Sequence, residues 1–166
     1  MDGHLADADS TILAFYRLTG TDAAGRFLPE VMAFSNSELE SVHNYVQWLF
    51  PLPEASGASP TAPILTAGDI AAFRTDPILQ QRLRQSMALM FEFYGFTTED
   101  PLGVVTVRLS SHFERRKTVW LLQHNHNLLR ITRMLRSLSI LGLHEYSVAW
   151  LACLERLYGP YRETIS

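Results

Sequence analysis

The sequence predicts an all-α fold, a single-domain bundle of about seven to eight helices with a proline-rich loop. Three observations carry this. Apolar residues recur at helical spacing along nearly the whole chain, between residues that start and stop helices. Only "LGVVTVRLS" has β character, through Val104, Val105, Thr106 and Val107. The 166 residues, 47% hydrophobic and 19% charged, are enough for one core and unlike the composition of disordered chains.

The elements follow in order. "DSTILAFYRLTG" is a short helix capped by Asp9 or Ser10, with Gly20 where a left-handed residue closes a helix. "TDAAGRFLPEVMAFS" is one kinked helix or two short ones, weakened by Gly25 and interrupted by Pro29. "SELESVHNYVQWLF" opens on Ser37 and Glu40 as a capping box and stops at Pro51 and Pro53. Residues 51–65 form the loop, with four prolines around "EASGAS". Thr66 and Asp69 cap a short helix through Phe73, and Asp76 precedes Pro77 at the start of "PILQQRLRQSMALMFEFYG", which Gly95 ends.

A single strand lacks a partner, so "LGVVTVRLS" reads as an extended connector or a small two-stranded contact. Helix resumes from Ser111 in "SHFERRKTVWLLQ". Two more follow, "NHNLLRITRMLRSLSILGL" and "HEYSVAWLACLERLYG", joined at Gly142 and closed by Gly159 and Pro160.

Composition excludes several function classes. One cysteine, Cys153, leaves no internal disulfide and no multi-cysteine metal site. The acidic N-terminus lacks the basic and apolar regions of a secretory signal, and no apolar run is long enough to span a bilayer, so a cytoplasmic protein is expected. "HNHN" offers His124 and His126, with His112 further off, but a zinc site needs three or four ligands and no carboxylate is adjacent, so no metal is expected. No nucleophile elbow, zinc-protease, phosphate-loop or dinucleotide motif occurs. The expectation is therefore a non-enzyme without cofactor.

Charge is uneven although the net is only -3. Residues 1–40 hold Asp2, Asp7, Asp9, Asp22, Glu30, Glu38 and Glu40 against Arg17 and Arg26. Residues 108–136 hold Arg108, Arg115, Arg116, Lys117, Arg130, Arg133 and Arg136 against Glu114. Either the two ends of the chain neutralise each other in the fold, or the basic segment is an anion-binding face, with nucleic acid reached through Arg115, Arg116, Lys117 and Arg133.

Two helices carry the candidate site. On a single helix from Ser37 to Phe50, His43 falls inside the apolar stripe with Leu39, Val42, Val46 and Leu49, Tyr45 lies at its edge, and Trp48 points nearly opposite. An off-stripe tryptophan beside a proline loop suggests an aromatic groove for a peptide or protein segment, unless it packs into a second layer. On the helix from Asn127 to Leu141, Arg130 borders the apolar stripe and is expected to pair with an acid of the N-terminal third; Arg133 stays more available.

"SVHNYVQWLFPLP" and "HNLLRITRMLRSLSILGLHEY" resemble the two signature segments of the opioid growth factor receptor family, in its N-terminal conserved domain, where "H-x-Y-I-Q-W-L-F-P" and "H-N-x-L-R-I-T-R-I-L" recur. "FYRL", "APILT" and "FYG" fall in the same order, so the resemblance spans about residues 12–158. It implies a helical domain and, from the animal members, a receptor for an enkephalin peptide. Those members carry long C-terminal extensions with repeats. His43, Tyr45, Gln47, Trp48, His126, Asn127, Arg130, Thr132 and Arg133 match the motifs; of these His43, Tyr45, Trp48, His126, Asn127, Arg130 and Arg133 are the candidate ligand-binding set.

Overall fold

The computed structural model describes the backbone of residues 8–165 and the side chains of residues 8–160. Asp2 and Asp7, counted above among the acids, lie outside the described residues. The first helix, α1 (Thr11–Tyr16), starts at Ser10, whose Oγ accepts from the Leu13 N–H. It is closed by Leu18 at φ 65° rather than by Gly20. The helix expected from Thr21 is mostly absent, and α2 covers only Leu28–Met32. The buried Asp22 carboxylate accepts from the N–H groups of Ala24 and Arg26, both at 2.9 Å, and so offers this backbone an alternative to helical bonds.

The expected long helix around "VHNYVQWLF" is two pieces, α3 (Asn36–Ser41) and α4 (Val46–Leu49), separated by Val42 in extended conformation. The capping box lies two residues earlier than expected, on Ser35 and Glu38. The break has a physical reason. In a continuous helix the Leu39 and Val42 carbonyls would accept from residues 43 and 46; here both accept from the Arg130 guanidinium. The proline loop is pinned at its base, where Leu65 N–H donates to Leu52 O.

The next two helices start as the sequence predicts. The box of Thr66 and Asp69 opens α5 (Ala67–Thr75), and Asp76 caps α6 (Pro77–Tyr94) with Pro77 in its first turn. Gly95 ends α6 at φ 92°, and a Cβ there would meet Phe113 Cα at 2.6 Å, so glycine is required by both torsion and contact.

The all-α expectation needs correcting to mainly α. After Gly95, β1 (Phe96–Glu99) pairs antiparallel with β2 (Thr106–Leu109), Phe96 opposite Leu109 and Thr98 opposite Val107. Only Phe96 of β1 is buried, so this partner strand shows little apolar alternation to reveal it. Helices α7 (Phe113–Trp120), α8 (His126–Ile140) and α9 (His144–Ile165) follow. Asn125 caps α8, accepting from Asn127 N–H at 2.9 Å. The expected stop at Gly159 and Pro160 fails: α9 runs through both, because a proline removes a single backbone bond from a helix already long enough to persist. That makes nine α-helices among the described residues, against the seven to eight expected.

Two aromatic groups anchor the core. Trp120, Trp150, Phe91, Tyr94 and Phe96 gather where α6, α7, α9 and β1 meet. Phe15, Tyr16, Trp48 and Phe73 join α1, α4 and α5. Tyr16 Oη donates to Leu49 O at 2.6 Å, and burial pushes its hydroxyl far above the usual range, so it stays a donor.

Candidate functional site

Helix α8 presents Asn127, Arg130, Arg133 and Ser137 along one face, at spacings of three and four residues. Each binds the irregular segment 39–51. Arg130 donates from Nη1 to Leu39 O at 2.6 Å and from Nη2 to Val42 O at 2.9 Å. Arg133 Nε donates to Phe50 O at 2.8 Å, and Ser137 Oγ to Pro51 O at 2.8 Å. These side chains take the place of helical N–H donors for carbonyls that the broken helix leaves free.

The expected ion pair of Arg130 with an N-terminal acid is therefore replaced by backbone carbonyls. One acid of that third, Glu40, instead accepts from Asn127 Nδ2 at 2.9 Å and faces His126 Nε2 at 3.3 Å. Asn127 Oδ1 accepts from Tyr94 Oη at 3.1 Å, which links this surface carboxylate to the core.

The aromatic groove is also overturned. Tyr45 is 0% and Trp48 5% exposed; Tyr45 donates to Leu39 O at 2.7 Å and Trp48 packs edge-on against Phe15 at 5.4 Å. Burial pushes the Tyr45 hydroxyl up to about 12, against the pull of Arg130. Trp48 looked off-stripe only because the stripe was drawn on one helix; the break at Val42 turns α4 so that this ring enters the second aromatic group.

A cleft does exist on the other side of α4. It has a volume of about 400 Å³ and lies between α4, the loop at residues 52–58 and α8. Of the seven candidate residues it brings together His43, His126, Arg130 and Arg133, while Tyr45, Trp48 and Asn127 are not in its wall. Val46, Leu52 and Leu129 add an apolar part, and Leu129 is 77% exposed. The two histidine rings meet edge to face at 5.2 Å, and His43 Nδ1 accepts from Arg130 Nη2 at 3.2 Å. Burial pushes the His126 imidazole below its ordinary value, opposed by Glu40 and helped by Arg130.

Three further residues of this wall escaped the candidate set: Gln47, Glu54 and Arg136. Glu54 is ion-paired with Arg136, which holds its carboxyl below the usual carboxylate range. Gln47 is only 7% exposed and its Oε1 has no hydrogen-bond partner; Arg133 Nη2 is likewise buried without one. Both atoms are sealed from solvent behind the cleft wall, and each such group costs about 1–3 kcal/mol. Burial also pushes the Arg133 guanidinium below its usual range. Arg136 was visible in the sequence as the residue one turn beyond Arg133; Gln47 stood within the motif.

The basic run of α7 is largely engaged within the fold. Arg116 Nε donates to Phe93 O at 2.6 Å with its guanidinium over the Phe93 ring, Lys117 pairs with Glu114, and Arg115 contacts His112. Among the described residues no three His, Cys, Asp or Glu side chains are grouped to hold a metal ion, and no helix is long and apolar enough to cross a membrane.

Comparison with known proteins follows the same segments. The family profile described as the opioid growth factor receptor conserved region matches residues 13–156. The chain is 44% identical over 108 residues to the opioid growth factor receptor of Rattus norvegicus, covering 65% of this chain and 18% of that protein. It is 40% identical over 110 residues to the Homo sapiens receptor, covering 65% and 16%. Opioid growth factor receptor-like protein 1 of Mus musculus is 38% identical over 109 residues, covering 66% and 23%. The match thus spans less than a quarter of each of these relatives. No solved structure matches the chain.

Proposed function

Since the chain belongs to the opioid growth factor receptor conserved-region family, we propose that it is a non-catalytic module that binds a peptide or protein segment in the cleft between α4, residues 52–58 and α8. The relatives are named as receptors, which supports a binding role. The observation that carries the reading is the cleft itself. Its volume falls within the roughly 300–1,000 Å³ of small-ligand sites, and it combines an apolar wall with a few convergent polar groups. An excess of arginine over carboxylate in that wall favours a segment with negative charge, because complementary charge speeds encounter and rejects basic partners.

The test is a titration of isotopically labelled protein with an enkephalin peptide and with pooled random heptapeptides, read by amide and methyl chemical shifts. Shifts at Val46, Gln47, Leu129 and Arg133 are expected. Leu129 is exposed, so Leu129→Glu leaves the fold intact while reducing the response. Absence of any cleft shift at millimolar peptide sinks the proposal.

A further inference from the structure

The hairpin of β1 and β2 ends in a tip that the core does not use. Leu102 is 102% exposed and stands at φ 58°, ψ 31°, a left-handed conformation that glycine takes freely and leucine does not. Val104 beside it is 65% exposed. Stability alone favours glycine at an unburied position with positive φ, so a leucine there points to a contact outside the chain's own core. Carboxylates precede this apolar tip: Asp100 is exposed, and Glu99 pairs with Arg108 at 3.0 Å in an ion pair open to solvent.

The cleft between α4, residues 52–58 and α8 has the opposite character, with Arg130, Arg133 and Arg136 against Glu54 and an exposed Leu129 in its wall. Arg136 meets Glu54 through Nη1, which leaves Nε and Nη2 for a second carboxylate. One chain thus carries a convex acidic knob with an apolar end and a concave basic site with an apolar patch. They do not meet within one molecule: β2 packs on α9, and none of residues 99–104 lines the cleft.

We propose that the hairpin tip of one copy docks in the cleft of a second copy, Leu102 resting on Leu129 beside Val46 and Leu52, and Asp100 meeting Arg136. This rests on the reading of the cleft as a site for a negatively charged protein segment and names that segment. Tip and cleft are different patches, so the contact is heterologous, and each copy carries one of each. A single knob makes a small interface, and the association is weak and concentration-dependent.

The test follows sedimentation velocity and chemical shifts of the labelled protein from micromolar to millimolar concentration. The weight-average mass is expected to rise, with the Leu102, Val104, Val46 and Leu129 resonances moving together. Leu102→Ser and Leu129→Glu, both at exposed positions where circular dichroism stays unchanged, should each weaken association at least tenfold. An equimolar mixture of the two variants should regain it as pairs, because the intact tip of one meets the intact cleft of the other. Leu102→Gly should raise Tm and still weaken association, which a purely structural role for the leucine would not produce. No rise in mass at millimolar concentration overturns the inference, as does a rise that Leu102→Ser leaves unchanged. In either case cleft shifts with the heptapeptide pools leave the peptide reading standing, whereas their absence sinks both. Co-sedimentation with phosphatidylcholine vesicles that is lost in Leu102→Ser overturns it too, by assigning the tip to a bilayer.

Discussion

Arg130 on α8 holds the Leu39 carbonyl at 2.6 Å from Nη1, across 91 residues of sequence, while its guanidinium lies 5.5 Å from the Tyr45 ring centre. One side chain thereby ends one helix and braces the ring that begins the next. Arg130→Met keeps the apolar stem but strands the Leu39 and Val42 carbonyls. It is expected to cost about 3 kcal/mol in urea unfolding, whereas a loss below about 1 kcal/mol would mean that water replaces the guanidinium.

Ser35 and Ser37 separate two versions of the same helix start. Ser35 Oγ accepts from Glu38 N–H at 3.2 Å, and Glu38 accepts in return from Ser35 N–H at 2.7 Å. Ser35→Ala should cost about 1 kcal/mol, and Ser37→Ala should stay within about 0.5 kcal/mol of the parent. The reverse order would restore the start read from the sequence.

Trp48, Trp120 and Trp150 are all buried, and they are the three tryptophans of the chain. Native fluorescence should be blue-shifted and resist quenching by iodide, and peptide binding should leave it unchanged. Trp48→Ala should destabilise by about 3–5 kcal/mol through the space left against Phe15. Strong quenching of the native protein would return Trp48 to the surface.

His126 makes stability fall on mild acidification. Burial lowers its folded pKa below the ordinary 6.5. Above that value both folded and unfolded chains carry neutral imidazole and His126 contributes nothing. As pH falls below about 6.5 the unfolded chain takes up a proton that the folded one resists, so stability drops until the folded pKa is passed. The drop in urea midpoint between pH 7 and pH 5.5 should be smaller in His126→Gln, and the His126 ring resonance should titrate below 6.5. A midpoint above 6.5 would show Glu40 outweighing burial.

How much of this was legible in the sequence depended on how local the cause was. Thr66 with Asp69, Asp76 with Pro77, and Gly95 act within a few residues, and the helices they bound are where the sequence places them. Asp22 and Arg130 act by capturing backbone groups that a helix would otherwise use, and the helices written over residues 21–27 and 42–45 failed for that reason. Strand β1 was missed because "FTTE" buries one residue in four. The site followed the same rule. The motif residues His43, His126, Arg130 and Arg133 do converge, but Gln47 matters through the absence of a partner, and Glu54 through a loop whose path no periodicity encodes.

The bonds from α8 to the segment at 39–51 also set an order of events during synthesis. Four backbone carbonyls there wait for donors that emerge 83 to 91 residues later. Until then the "WLF" stretch has only local bonds and its contacts with α1, the Trp48 ring on Phe15 and Leu49 O on Tyr16 Oη, and a growing chain carries the other carbonyls of the segment without their donors. The first third of the protein is thus made early and finished late, and a chain halted before α8 would be a target for chaperones and proteases rather than a smaller folded unit.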